Sequence, residues 1–512
     1  MRSSDAIIIG GGTNGLACAT RLAASGRRVT VLEAAPTMGG GACTVEFAPG
    51  YRVSGLAHLV MNLDPRVMQG MDLARHGLGF AVTNLATTAL SATGDHLALA
   101  GPFGAQINGL PETERAAWAA LRLRLLAFAS VLAPFNAMTP PRIARGAGND
   151  YLRLAKLGLG VRALGKEDFR EFLRMILINV ADVLEDDLAD DRLRGALAFD
   201  TTLGAWLGPR SPNSLILLLN RLAGAQGQLS VPRGGMGAVA GAMASAAMAA
   251  GVNLRCGARV ARVLVTRDAA SGVMLHTGEE LHAPLVISAI NPRVTFQRLV
   301  GAQHLDAGFF TRTAHIRSRG GAAKLHLALT GTPDFRGADA ISRLVIAPSV
   351  RGVEDAFNAV KYGEVPEAPV MEIILPSAHE PGMAPEGCHT LSAIVQFAPH
   401  APADPDAARA QMLENTLRQM EVHAPGLRAL IHHAELLMPC DIAARYGMEG
   451  GNWHHGEMAV EQMLFLRPLP GAAQYATPLP GLWLAGAGSH PGGGISGAAG
   501  WNAAERIIKV QA

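Results

Sequence analysis

The first forty residues constrain the fold more than any other part of this chain. Ala6-Ile7-Ile8-Ile9 is a short, uninterrupted apolar run, the pattern of a central parallel strand buried on both faces. It passes directly into Gly10-Gly11-Gly12-Thr13-Asn14-Gly15, a G-x-G-x-x-G sequence. Residues 16–25 read as a helix stopped by Gly26, and residues 28–32 as a second strand ended by Glu33. Strand, glycine loop, helix, strand and acid, in that order, make a dinucleotide-binding unit. Gly10 provides the tight turn, Gly12 lets backbone approach a pyrophosphate, and Gly15 lets the helix pack close to the strand. The helix start at Thr13 and Asn14 offers free N–H groups and partial positive charge to phosphate. Glu33 can accept hydrogen bonds from ribose hydroxyls. The loop by itself does not separate FAD from NAD.

The chain has 512 residues, too many for one simple core, so two domains or more are expected. Hydrophobic residues at 49% and charged residues at 17% suit a well-buried globular protein. With 44 basic against 42 acidic residues there is no electrostatic footprint for nucleic acid. The cysteines, Cys18, Cys43, Cys256, Cys388 and Cys440, form no C-x-x-C pair, which argues against a zinc ribbon or a redox dithiol and fits a reducing cytosol. Only four residues precede Asp5 and the first strand, leaving no room for a signal peptide, so a cytoplasmic location is expected. Runs 234–254 and 468–504 lack Asp, Glu, Lys and Arg but are rich in Gly, Ala, Ser or Pro, and read as buried segments rather than membrane spans.

Further along, Trp118, Leu121, Leu125, Phe128 and Leu132 recur at helical spacing, and Pro134 and Pro140-Pro141 are expected to break that helix. Between 142 and 174, eight basic residues face four acidic ones, with apolar residues interleaved. Such a stretch is either a solvated helix face of a substrate domain, the reading slightly preferred, or a region that lies peripherally on a membrane. The block Val231-Pro232-Arg233-Gly234-Gly235-Met236-Gly237, a small-residue helix and strands at 257–265, 273–276 and 285–290 bring the chain back to the cofactor domain. An apolar strand ending at Gly486 precedes Ser489-His490-Pro491-Gly492-Gly493-Gly494-Ile495, and a helix to Ile508 follows.

Glu33, a short spacer and Gly39-Gly40-Gly41 resemble the extended FAD signature of the amine-oxidase and phytoene-desaturase superfamily. The block at 232–237 with the strand after it resembles the same superfamily, in which one valine backbone holds the adenine; Val263 is the nearest match. Trp453-His454-His455-Gly456-Glu457, Arg467-Pro468 and the run from Gly486 to Gly497 resemble a narrower group, the pyridine nucleotide-disulfide oxidoreductase domain-containing protein 2 family. The resemblance spans nearly the whole chain and is weakest from 110 to 225. It implies an α/β protein, with a discontinuous Rossmann-like FAD-binding domain (1–110, 226–300, 471–512) and an inserted α+β substrate domain (a mainly helical 111–225, then 301–470). It places Gly486, Gly494 and Ile495 against the flavin, where a helix start can stabilise negative charge on the reduced ring.

The implied activity is hydride removal from a lipophilic, polyene or isoprenoid-like substrate to flavin N5, by a desaturase, dehydrogenase or oxidase that passes electrons to oxygen or a quinone. Lys324, in the alternating strand Ala322-Ala323-Lys324-Leu325-His326-Leu327-Ala328-Leu329, resembles the amine-oxidase lysine that holds a water near N5; otherwise it is a strand lysine facing solvent. His490 is either an acid–base group or a hydrogen-bond former in the flavin loop. His454 and His455 lack a carboxylate cluster and read as structural or cavity-lining rather than metal-binding. Three other functions compete: a redox-neutral double-bond isomerase, an amine oxidase (weakened by 5% aromatics) and a non-catalytic binding protein like the GDP-dissociation inhibitors. The intact glycine loops and Glu33 argue against the last.

Overall fold

The computed structural model describes residues 4–142, 148–225 and 227–511. Arg145 of the basic stretch lies outside the described residues. Four-residue apolar strands begin the assembly. Ala6–Ile9, Val29–Leu32 and Leu285–Ser288 are buried at every position, as strands covered on both faces must be. With Asn253–Arg255 and Leu482–Leu484 they form a five-stranded, all-parallel sheet. In spatial order the strands run Asn253–Arg255, Val29–Leu32, Ala6–Ile9, Leu285–Ser288, Leu482–Leu484. The order in which strands are added therefore reverses between Ala6–Ile9 and Leu285–Ser288. The crevice at such a reversal, beyond the carboxyl ends of the strands, is where doubly wound sheets bind ligands. The glycine loop sits there: a Cβ on Gly10 would lie 2.8 Å from Ile290 Cγ2, just past the end of Leu285–Ser288.

Helices Thr13–Ala23, Met236–Ala249 and Ala498–Gln511 share one apolar core with this sheet. They pack closely because small residues line the contacts; a Cβ on Gly500 would fall 1.8 Å from Asn14 O. The charge-free run at 234–254 is thus largely this buried small-residue helix. The second face of the sheet is covered by an antiparallel arm, Val260–Thr266, Ala269–Leu275 and Glu280–His282.

The second domain is built on an eight-stranded sheet. Its spatial order is Ile431–Leu437, Ala322–Leu329, His389–Gln396, Val370–Ile374, Arg343–Ile346, Thr87–Ala89, Leu97–Ala100, Gln106–Asn108. Pairing is antiparallel except where Arg343–Ile346 meets Thr87–Ala89. One face, with Ala323, Leu325, Met371, Ile373, Leu391 and Val395, forms an apolar core with Met412 and Met420 of helix Pro405–His423. Helices Glu112–Asn136, Val180–Asp187, Asp191–Thr202 and Leu215–Ala225 contribute a separate apolar core to the same domain.

Two expectations are corrected. Residues 87–108, assigned to the first cofactor segment (1–110), belong to the eight-stranded sheet. Their strands are short, and the parallel partner that captures them lies far along the chain at Arg343–Ile346. Pro134 does not break the long helix, which runs over Glu112–Asn136. A proline near a helix end removes one backbone bond, and that end is tied down from outside. Phe135 O accepts from His490 Nε2 at 2.9 Å, and Asn136 Nδ2 donates to Asn220 Oδ1 at 3.2 Å. The five apolar residues of the helical repeat are all buried.

Candidate active site

The N-terminal glycines form a cradle. Gly10 holds a φ of +101°, open to glycine but costly for a residue with a Cβ. A Cβ on Gly15 would lie 2.0 Å from Gly10 O, so close helix–strand contact excludes any side chain there. At Gly12, by contrast, a Cβ would meet nothing within 4 Å. Gly12 is the N-cap of helix Thr13–Ala23 and bridges to Gly39; Gly39 N–H donates to Gly11 O at 2.9 Å. Gly40 lies over Gly12, and a Cβ there would sit 3.4 Å from Gly12 Cα. Two glycine loops from separate segments thus face one helix N-terminus.

Glu33 closes the far side. Its Oε2 accepts from Gly11 N–H at 2.7 Å and its Oε1 from Ala35 N–H at 2.9 Å, which leaves each oxygen a lone pair for a sugar hydroxyl. Ala258 N–H donates to Glu33 O, so the start of the antiparallel arm lies beside the acid. Val263, three residues into Val260–Thr266, has its side chain in the core under the arm.

The cradle fits an FAD molecule on its own geometry. Asn14 Oδ1 is buried at the helix start with no protein partner, and the first-turn N–H groups have none within the helix. No protein atom beyond the adjoining chain lies within 4 Å of where a Cβ on Gly12 would sit. In the C-terminal loop, Gly494 has a φ of +102° and its Cβ direction is likewise open. Ile495 follows at φ +58°, rare for a β-branched residue, with its side chain packed on the first-helix core. Gly486 serves close backbone approach instead: a Cβ there would lie 2.4 Å from Ala289 O.

From Gly39–Gly41 the chain continues to Cys43, whose carbonyl accepts from Gly55 N–H at 2.9 Å. This segment roofs the second face of the eight-stranded sheet. Alternation in Ala322–Leu329 does separate two faces, but both are buried, so the solvent-facing alternative for Lys324 is excluded. Lys324 Nζ lies 2.9 Å from His58 Nδ1, and His58 Nε2 lies 3.0 Å from Glu372 Oε1. Glu372 Oε2 accepts from Arg343 Nε at 2.6 Å, and Arg343 in turn pairs with Asp200, which Arg221 approaches at 3.3 Å. Burial pulls Lys324 down to about 7, against the charge of Glu372. Burial and the neighbouring lysine pull His58 down to about 4, so its contact with Glu372 at neutral pH is a hydrogen bond rather than an ion pair. Burial disfavours ionised Glu372, yet Arg343 and His58 hold its carboxyl well below the usual range.

His490 is buried, with one ring nitrogen bonded and Nδ1 left without a partner. Nε2 donates to Phe135 O, and the ring stands edge-on to Phe135 at 4.6 Å between centroids. Burial lowers its basicity to about 4. Of its two expected roles, the geometry supplies the hydrogen-bonding one, which moors the flavin loop to the end of Glu112–Asn136. Among the described residues no three His, Cys, Asp or Glu side chains gather as a metal site. His454 accepts from Trp453 Nε1 at 3.1 Å and turns Nδ1 towards Gly493, where a Cβ would lie 2.7 Å away.

Three residues of the candidate site were not singled out from sequence, His58, Glu372 and Arg343, and Arg467 stood only within a family motif, without a role. Glu372 and Arg343 carried a usable signal, each being one charge in a short apolar strand, Val370–Ile374 and Arg343–Ile346. Arg467 is 1% exposed and bonds only to carbonyls, those of Ala487, Gln462, Glu457, Gly456 and His454. It clamps the segment before the flavin loop onto the loop itself. The cradle, the lysine strand and this loop converge on one apolar cluster of Leu56, Leu437, Ile442 and Met448, against which Tyr446 and Trp453 pack.

Comparison with known proteins agrees with this geometry. The family model described as "Flavin containing amine oxidoreductase" matches residues 15–508. Pyridine nucleotide-disulfide oxidoreductase domain-containing protein 2 of Rattus norvegicus is 30% identical, across 99% of this chain and 93% of its own length. The neurosporene-forming phytoene desaturase of Cereibacter sphaeroides is 30% identical over 63% of this chain and 61% of its own length. Among solved structures, an oxidoreductase from Methanosarcina mazei shares the fold, with a TM-score of 0.62, 16% identity and coverage of 98% and 99% of the two chains.

Proposed function

The chain belongs to the flavin-containing amine oxidoreductase family and is an FAD-dependent oxidoreductase, and from that premise we propose that it removes hydride from a C–H bond of a lipophilic, isoprenoid-like substrate. Bound FAD supplies the hydride acceptor, its N5 position. The protein supplies orientation, a dry site and the charge of Lys324.

The observation that carries this reading is the character of the convergence point. Leu56, Leu437, Ile442 and Met448 form a buried apolar cluster, with Tyr446 and Trp453 packed against it. Glu372, the acid nearest Lys324, is buried with His58 and Arg343 bonded to its oxygens, so a substrate ammonium would meet a carboxylate whose charge Arg343 already balances. The desaturase relative adds support for an isoprenoid over an amine. The electron acceptor in this reading is oxygen or a quinone.

A lipophilic substrate also favours a cytoplasmic protein that touches a membrane. Helix Gly148–Arg162 has no buried residue among its described positions, and Leu152 and Leu159, 65% and 64% exposed, flank Lys156.

Anaerobic mixing tests the substrate class. Micellar polyenes or monoterpenes are expected to bleach the flavin absorbance, and primary amines to leave it unchanged. Bleaching by amines alone would overturn the proposal in favour of an amine oxidase.

A further inference from the structure

We propose that His58 and Glu372 are positioning residues that, with Lys324, form a buried Glu–His–Lys triad setting the orientation and charge of the lysine amine. This rests on the reading of Lys324 as the group that meets the flavin.

The imidazole lies between the two groups at hydrogen-bond distance on both sides, 2.9 Å to Nζ and 3.0 Å to Oε1. Only one neutral tautomer satisfies both contacts: Nε2–H donates to the carboxylate, and Nδ1 accepts from the lysine. The carboxylate cannot rotate away, because Arg343 holds its other oxygen and Asp200 holds Arg343. All three triad side chains are 2% exposed or less, so water does not compete for these bonds. The remaining groups facing the lysine are few. Ser392 Oγ stands 3.4 Å from both His58 Nδ1 and His326 Nδ1 on the same sheet face. Cys43 and Tyr446 approach from the roof, with Arg445 beyond them. Glu435 on the paired strand is taken up by Arg445, and Glu372 is the carboxylate whose field favours the ammonium form against burial. Lys324 is thereby poised to change charge near neutrality, where a small change at the flavin can shift it.

The test needs no substrate, so its failure leaves the hydride-removal reading untouched, and an amine substrate would not rescue or sink it. Holoprotein is reduced with stoichiometric dithionite, mixed with oxygenated buffer, and flavin reoxidation is followed from pH 5.5 to 9.5. Wild type is expected to show a single transition. Glu372→Gln and His58→Leu should move its midpoint to lower pH by about one unit or more, since each removes support for the ammonium. His58→Asn keeps an acceptor towards Lys324 and should leave the midpoint near the wild-type value. A purely structural role would lower amplitudes equally at every pH. A flat wild-type profile, or an unmoved midpoint in a folded, flavin-bound His58→Leu, would overturn the proposal. A second measurement requires no variant. In histidine-15N-labelled wild type, His58 is expected as the neutral Nε2–H tautomer at pH 7, and the Nδ1–H tautomer or an imidazolium would refute the triad.

Discussion

Replacing Arg467 by lysine keeps the charge and tests the clamp. The guanidinium has five N–H groups, and its bonds reach five carbonyls, at Ala487, Gln462, Glu457, Gly456 and His454. An ammonium has three. Gln462 Nε2 also donates to the Glu457 carbonyl, so at least one of the other four carbonyls loses its donor, at about 1–3 kcal/mol. Burial without a carboxylate partner already lowers Arg467 to about 10, so the more strongly hydrated lysine is also the harder cation to bury there. The loss falls on the segment that holds the flavin loop in place. Flavin fluorescence during a thermal ramp reads the release temperature directly. Arg467→Lys is expected to release flavin several degrees below wild type, ahead of global unfolding followed by circular dichroism. A release temperature within about 1 °C of wild type would refute the carbonyl count as the source of loop stability.

Gly15→Ala should purify with less than about a tenth of the wild-type flavin, because its Cβ would lie 2.0 Å from Gly10 O and the helix start must shift to admit it; full occupancy by absorbance would contradict the cradle. Lys324→Met should change how stability depends on pH. Between about 7 and 10.5 the unfolded chain keeps a proton that folded Lys324 has released. The burial cost is thus fully present below 7 and relieved as pH rises, so wild type should gain on Lys324→Met across that window in urea denaturation; a falling difference would reverse the sign of the argument. Asn14→Ala should weaken FAD binding about tenfold while leaving the melting temperature of the apoprotein unchanged, since Asn14 Oδ1 has no protein partner to lose. Sedimentation with anionic vesicles should pellet the wild-type protein, and Leu152→Glu/Leu159→Glu should abolish it; equal pelleting of both would place membrane contact elsewhere.

The cofactor domain was legible because its signals are local. Ala6 to Glu33 contains strand, turn, helix and acid within one contiguous stretch, and each glycine there answers to a steric demand its neighbours impose. The triad was not legible because its three parts, and the arginine that holds it, come from four places. His58 sits in a loop with no periodic pattern, Lys324 and Glu372 sit on strands separated by His389–Gln396, and Arg343 lies one strand further on. Only the register of the sheet brings them to one face. The same reasoning explains the misplaced boundary near residue 110: three short strands carry no mark of which distant edge will capture them. Lys324 shows a third case. The alternating pattern correctly separated two faces, but alternation cannot say that a roof from residues 43–58 covers the polar one.

The parallel sheet of the cofactor domain draws its strands from residues 6, 29, 253, 285 and 482 onward, and helix Ala498–Gln511 packs against the very helix that starts at the glycine loop. Arg21 and Glu505 join the two by a salt bridge at 2.6 Å. A ribosome releases these pieces in sequence, so the opening strand meets Val29–Leu32 at once and Leu285–Ser288 later, while helix Thr13–Ala23 waits through the rest of the second domain for Ala498–Gln511. A nascent protein halted before residue 482 would hold four of the sheet's five strands but lack the helix that packs on the glycine-loop helix.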